Sequence, residues 1–405
     1  MEIAYFVIVL GYRVGAFQHQ SMHFLALILF GMIAIFWVLH GLRVAVGALQ
    51  LPWLKNYALP ENVHCPKVSL LVAARDEEEK LPLALQTLLQ IDYPNLEIIA
   101  VNDRSTDGTE KILCEAAGRD SRLKIVSIAA LPDGWLGKPF ALQNAYEASS
   151  GEWLLFTDAD VRFRPDAVQR AMALANAKRL DHLTLMSDVE MHGFWEKTVL
   201  SFFGLGFHLA TNPRGVSDPR SRAYIGIGAF QMVKRGAYEA SGTHRRLAME
   251  VVDDMKLGKI VKQAGFRSGV GIAQDFVTVR WHAGIGNIVR GVTKNFFAGA
   301  EFKVKMVALQ LSVLFCVSIL PFLILPFAHG STLALALISI AIALGFHAGT
   351  AIVMKVSPLF ALTHPLGAAI FSYMLLRSTV VTLSQGGIVW RETFYPLEAL
   401  RRGLV

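Results

Sequence analysis

Cysteine is almost absent from this chain: Cys65, Cys114 and Cys316 are the only three, and they lie far apart. That spacing offers no disulfide framework and no cysteine-based metal site. Charge is scarce too. Asp, Glu, Lys and Arg make up 18% of the 405 residues, and two long stretches contain none, Val14 to Leu42 and Met306 to Met354. With 53% hydrophobic residues and a mean hydropathy of +0.43, the composition departs from that of an ordinary soluble domain. The net charge is +7. In a chain with apolar spans, that excess suits a basic face against anionic lipid rather than a nucleic-acid partner.

About 20 apolar residues cross a bilayer, and Phe24 to Leu39 lies within a stretch long enough to do so. A cleaved signal peptide fits poorly, because Arg13 is the only basic residue before the apolar run and no small-residue cleavage site follows. The second uncharged stretch breaks at His329-Gly330-Ser331 and reads as two spans. A further apolar stretch ends at Arg377, giving two or three C-terminal spans within 306–385, followed by a tail, 386–405. Arg43 and Lys55 follow the first span (residues 1–45), and Arg290, Lys294, Lys303 and Lys305 precede the second. The positive-inside rule then puts residues 43–305 in the cytoplasm of an integral plasma- or inner-membrane protein. A tail carrying Arg391, Arg401 and Arg402 is expected on the same side, which requires an even number of C-terminal crossings and a re-entrant segment over 359–384.

Between the spans, apolar runs alternate with helical patterns. Val68–Ala73, Leu96–Asn102, Leu123–Ile128 and Trp153–Thr157 read as buried strands, and Leu81–Gln90, Thr109–Ala117 and Ala141–Ser149 as helices. Such alternation argues an α/β domain, over about 60–300, with a mostly parallel sheet covered on both faces. Ligands of such sheets bind beyond the carboxyl ends of the strands. Three of those ends are polar: Ala74-Arg75-Asp76-Glu77, the segment Asp103 to Gly108, and Asp158-Ala159-Asp160. Turn and cap chemistry accounts for any one of them alone; three on one sheet edge point to a site.

Each cluster suggests a role. Asp158 and Asp160 can share one hard cation whose shell is completed by a substrate diphosphate. Asp103 can accept from a base N–H or a ribose hydroxyl. Val252-Asp253-Asp254 precedes an amphipathic stretch; its carboxylates are either N-terminal helix charge, worth ~0.3–1 kcal/mol, or a general base. Adjacent residues of a helix do not share a face, so only one of the two is expected to point at a substrate. Arg280 could clamp phosphate, although an ordinary surface arginine fits its spacing better. Lys138, in a loop before a helix, could contact phosphate or be simply solvated.

In order along the chain, these segments resemble glycosyltransferase family 2. The family's P-A-R-N-E-E stands here as Ala73-Ala74-Arg75-Asp76-Glu77-Glu78, its D-D-x-S-x-D-x-T as Asn102 to Thr109, its D-A-D as Asp158-Ala159-Asp160, and its later E-D as Asp253-Asp254. Trp135-Leu136-Gly137-Lys138 and Gly387 to Arg391 with Tyr395 resemble membrane members acting on lipids, carotenoids or hopanoids. The resemblance implies a GT-A fold and transmembrane helices at both ends. It also implies a nucleotide-diphosphate sugar donor, Mg2+ or Mn2+ on Asp158 and Asp160, and a lipid or other membrane-associated acceptor. Donor contacts would come from Ala74, Arg75, Glu77, Asp103, Lys138, Asp158 and Arg280, and Asp254, with Asp253 beside it, would serve as the base of an inverting transfer. Ala73 and Asn102 replace a proline and an aspartate of the family pattern. Processive polysaccharide synthases carry Q-x-x-R-W, and Val277 stands at the glutamine position while Arg280 keeps the arginine. A processive polysaccharide synthase and a non-catalytic membrane scaffold or transport accessory are the alternatives.

Overall fold

The computed structural model describes residues 2–58 and 65–405. The start expected for the α/β domain, residue 60, lies outside them. Twelve strands occur among the described residues: β1 Val68–Ala74, β2 Leu96–Asp103, β3 Leu123–Ile128, β4 Trp153–Asp158, β5 Val161–Phe163, β6 His182–Met186, β7 Asp188–Val189, β8 Gln231–Lys234, β9 Ser268–Ile272, β10 Val277–Val279, β11 Gly387–Trp390 and β12 Thr393–Pro396. Seven form one sheet in the order β3-β2-β1-β4-β8-β6-β9, in which only β8 runs antiparallel to its neighbours.

The chain divides into two compact units. The larger comprises Gly47–Glu196, Ala210–Val304 and Met374–Val405. The central strands β1, β2 and β4 of its sheet are buried on both faces, so they are continuous apolar runs rather than alternating ones. Leu70, Val72 and Ile98 pack into one core layer, while Leu71, Ile99 and Val101 pack into the other. Alternate side chains of a strand point to opposite faces, and this is what splits adjacent residues between the layers. The helix expected at Ala141–Ser149 runs from Gly137 to Glu147, so Lys138 stands on its first turn and not in the preceding loop.

The smaller unit comprises the N-terminal helix up to Val46, Lys197–Leu209 and Lys305–Tyr373. Phe30, Ile33, Trp37, Leu205, Ala336 and Ala343 form its core. Trp37 donates through its indole N–H to the Val317 carbonyl (2.9 Å), and its ring lies 5.7 Å from that of His364. Polar groups here are paired inside the unit: Ser201 with His347 (3.0 Å), and His347 with His364 (3.3 Å). Among the described residues, four helices are long and apolar enough to cross a membrane: Phe24–Gly47, Val304–Leu323, Gly330–Val353 and Pro358–Gln385.

Candidate active site

A cleft of about 470 Å³ opens at the carboxyl ends of β1, β2 and β4. Ala74, Arg75 and Glu77 line it from the loop after β1, Asp103 from the end of β2, and Asp158 and Asp160 from the end of β4. Lys138 faces it from the first turn of its helix, as do Asp253 and Asp254 from the helix Asp253–Gln263. Both aspartates line the cleft from the first turn of that helix, and they differ in surroundings, Asp253 being buried toward His244. Arg280 alone among the sequence-derived candidates is absent from the lining. Its guanidinium faces Glu196 (3.4 Å), a buried carboxylate that also accepts from the amides of His192 and Gly284 (both 2.6 Å).

The loops after β1 and β2 are locked together. Asp76 accepts from the amide of Thr106 (2.8 Å), Glu78 from that of Gly108 (2.7 Å), and Thr109 from that of Glu77 (2.8 Å). Asp76 and Arg104 hold φ of 51° and 55°, left-handed conformations that non-glycine residues rarely adopt and that persist where surrounding bonds over-determine them. Ser105 and Asp107 therefore act on the backbone: Ser105 accepts from the Asp76 amide and Asp107 from that of Glu78 (both 3.1 Å). The Arg104 guanidinium donates to both oxygens of Asp103 (2.7 and 3.1 Å). Gly137 has no side chain for a reason: a Cβ there would lie 2.7 Å from Asp103 Oδ2.

Lys138 donates to Asp158 Oδ1 (2.6 Å), and Lys80 to Asp160 Oδ2 (2.8 Å). Burial pushes the Asp160 carboxyl above its ordinary value, and the neighbouring Asp158 charge adds to this. Burial alone would lower Lys138, but the carboxylates of Asp158, Asp253 and Asp254 hold it above its ordinary range. No cluster of three or more His, Cys, Asp or Glu suited to a metal occurs among the described residues. The chain thus offers a cation two hard carboxylates. That donor set suits Mg2+ or Mn2+ only if oxygens of a bound diphosphate complete the shell.

Asp254 accepts from the amides of Gly228 (3.0 Å) and Met255 (2.7 Å). Burial nevertheless raises its pKa, against the pull of Lys138. Asp253 is buried and its pKa is pushed up to about 6 by burial, again against Lys138. Behind it, Tyr238 accepts from the His244 amide (2.9 Å) and contacts His244 Nδ1 (2.7 Å). His244 Nε2, on the other side of the ring, faces Asp253 Oδ2 at 3.9 Å. His244 stays neutral, since burial, with Lys138 nearby, depresses it to about 3.

Sequence reading passed over several lining residues. Lys80 follows the Glu77-Glu78-Glu79 run and could have been found by its place in that loop. Lys294 was counted only as a juxtamembrane charge; it lines the cleft, its ammonium 3.9 Å from the Trp390 ring centre, and burial lowers its pKa to about 8. Arg391 ion-pairs with Glu77 from the tip of the β11–β12 hairpin. With Arg391, Trp390 and Tyr395 bring the C-terminal tail into the lining; the family resemblance marks this segment, and only the fold places it at the cleft. In all, six carboxylates (Glu77, Asp103, Asp158, Asp160, Asp253, Asp254) meet five side-chain cations (Arg75, Lys80, Lys138, Lys294, Arg391). The near balance lets the cleft take a diphosphate together with a divalent cation without a large net charge.

Residues 69–242 match the family Glycosyl transferase family 2. The chain is 24% identical over 239 residues to the 4,4'-diaponeurosporenoate glycosyltransferase of Staphylococcus haemolyticus, covering 58% of this chain and 62% of that one. It is 28% identical over 185 residues to the beta-monoglucosyldiacylglycerol synthase of Nostoc sp., covering 44% and 37%. The chain thus spans less than two thirds of the length of these relatives. Among solved structures it is similar to the mannosyltransferase PcManGT of Pyrobaculum calidifontis, determined with GDP-Man and Mn2+, with a TM-score of 0.52, 18% identity and coverage of 89% of this chain and 98% of that one. The family-2 match thus lies on residues 69–242, which hold most of the sheet and its strand-end loops, and the likeness over most of the length shows a GT-A-type fold.

Proposed function

We propose that this chain is a membrane-bound inverting glycosyltransferase that moves a sugar from a nucleotide-diphosphate sugar to a lipid-type acceptor. One observation carries the reading: Asp158 and Asp160, Asp103, and the helix-end Asp254 line a single cleft. Asp103, with Ala74 and Arg75, suits the nucleoside, and Lys138 with Lys80 suits the diphosphate. Mg2+ or Mn2+ on Asp158 and Asp160 would neutralise charge growing on the leaving diphosphate. An acceptor hydroxyl oxygen bonds to the anomeric carbon as the bond to the diphosphate oxygen breaks; the electron pair leaves with the nucleoside diphosphate and the proton passes to Asp254. One displacement inverts the anomeric centre. The raised pKa of Asp254 brings the base nearer working pH, and a positioned base contributes ~10²–10⁴-fold. Both sequence relatives are named for transfer to apolar molecules, which supports a lipid-type acceptor.

The test is transfer of radiolabelled sugar from nucleotide sugars to membrane lipid extract by the full chain and by Asp160→Asn. The expected product carries a single sugar, and the variant is expected to be inactive, with donor binding weakened mainly when metal is present. Near-wild-type activity of the variant in chelator would remove the metal role, and long polymeric product would favour a processive synthase.

We infer as well that the catalytic domain faces the cytoplasm, from the basic residues flanking its spans. The tail contributes Trp390, Arg391 and Tyr395 to the cleft, which supports an even number of crossings between Val304 and the tail. Three apolar helices lie in between, and on this reading one of them does not cross. His364 sits against Trp37, which is central in Phe24–Gly47. We therefore read Pro358–Gln385 as entering and leaving on one side.

A further inference from the structure

A second pocket, of about 290 Å³, lies beside the cleft and shares Gly291 and Lys294 with its lining. It is built from the end of the helix Gly284–Val292 and the residues after it, the last turns of the helix His364–Gln385, and β11. Its charge is one-sided. Arg290, Lys294 and Arg377 line it, with no acidic residue among its lining. Arg290 donates to the side chain of Asn287 (2.6 Å), Arg377 to the Thr293 hydroxyl, and Lys294 to Asn295 (2.9 Å). Among the described residues, none of the three lies in an ion pair. The like charges of Arg290 and Arg377 repel, while Lys294 is drawn in part to Asp158, Asp253 and Asp254 across the shared wall, and an anion seated among the three relieves the repulsion.

Arg377 also stands in a helix otherwise built for lipid. Leu376, Val380 and Leu383 on that helix are exposed, while Val381, Thr382 and Gln385 face the pocket with Arg377. A cation in an apolar segment is costly and marks a site. Two turns from the helix end, it stands at a depth suited to a lipid headgroup rather than to acyl chains. An arginine fork matches phosphate or carboxylate oxygens pairwise.

We propose that this pocket is the subsite for an anionic headgroup of the acceptor lipid, held by Arg290, Lys294 and Arg377 while the acceptor hydroxyl enters the adjoining cleft. The assignment rests on the reading of the chain as a lipid glycosyltransferase. Two experiments on the full chain test it. In the first, native mass spectrometry compares retention of phosphatidic acid and of diacylglycerol with the same acyl chains. Wild type should favour phosphatidic acid, and Arg377→Gln and the more exposed Arg290→Gln should each reduce the preference about tenfold, the scale of a lost charge-assisted bond. Arg402→Gln, which removes an exposed charge paired with Glu398, should keep it. No preference in wild type, or a preference intact in both pocket variants, overturns the proposal.

In the second, phosphatidylglycerol and diacylglycerol serve as acceptors in neutral vesicles. Arg377→Gln should raise the KM for phosphatidylglycerol about tenfold and leave the donor KM in place. A rise in donor KM instead assigns the pocket to the donor. Faster transfer to diacylglycerol only when phosphatidic acid is added assigns it to bystander lipid. Either result overturns the proposal alone, whereas an intact lipid preference with no sugar transfer to any lipid overturns the lipid-transferase reading.

Discussion

At the scale of single residues, two adjacent carboxylates reach one cleft in different surroundings. Asp254 accepts from two backbone amides at a helix N-terminus, which favours the ionised form a base needs. Asp253 is buried against a neutral His244. Asp254→Asn should therefore lower kcat ~10²–10⁴-fold with donor affinity little changed, and Asp253→Asn should cost far less turnover; an inactive Asp253→Asn beside an active Asp254→Asn would reverse the assignment. Because burial raises Asp254, the acid limb of kcat should fall at a pH above the ordinary carboxylate range. Stability gives a second readout. The folded pKa of Asp253, about 6, exceeds the unfolded value, so its contribution is full below the unfolded value and lost as pH rises through about 6. Asp253→Asn should then melt higher than wild type at neutral pH, the difference closing in acid. As mere helix-end charge the residue would behave oppositely: its loss would lower the melting temperature.

At the scale of elements, the base depends on how closely one helix approaches a loop. The helix Asp253–Gln263 lies against the segment at Ile225–Gly226 backbone to backbone. A Cβ on Gly226 would fall 1.8 Å from the Asp254 carbonyl oxygen, and one on Gly258 would fall 2.2 Å from that of Ile225. Backbone cannot move aside as a flexible side chain does, so the helix must shift. Gly226→Ala should cost about 1–3 kcal/mol of stability and lower kcat more than donor affinity, because the displaced helix carries Asp254. Thermal melting and steady-state kinetics on the same preparation check this; unchanged kcat at reduced stability would show that the base tolerates the shift. The start of this helix was visible in the acidic pair before an amphipathic run. Its close packing was not, since nothing near Gly226 in sequence names its neighbour.

At the scale of the whole molecule, the tail constrains topology. Reporters fused at Gly118 and after Val405 should give the same, cytoplasmic, answer. Opposite sides would contradict the shared cleft, and an external Gly118 would remove access to cytosolic nucleotide sugars. Arg391 and Glu392, with φ of 48° and 67°, turn the β11–β12 hairpin without glycine, and the tip meets the cleft through the ion pair of Arg391 with Glu77, the bond from Arg391 to the Asp76 carbonyl (3.3 Å) and the Lys294 ammonium over Trp390. Arg391→Gln should therefore weaken donor turnover while leaving the core intact, read as lowered activity at an unchanged melting temperature.

Sequence by itself determined the long apolar helices, the first four strands and the strand-end positions, because each rests on short-range pattern: an uncharged run, a buried apolar strand, a polar residue where a strand stops. It also named nine residues that the fold brings to one cleft: Ala74, Arg75, Glu77, Asp103, Lys138, Asp158, Asp160, Asp253 and Asp254. Only the tertiary structure decided the rest. Arg280 matched a motif position yet pairs with Glu196, a buried carboxylate 84 residues away in sequence. Lys294, Trp390 and Arg391 join the cleft, and Arg377 the pocket beside it, through long-range closure of the chain, which local periodicity does not encode.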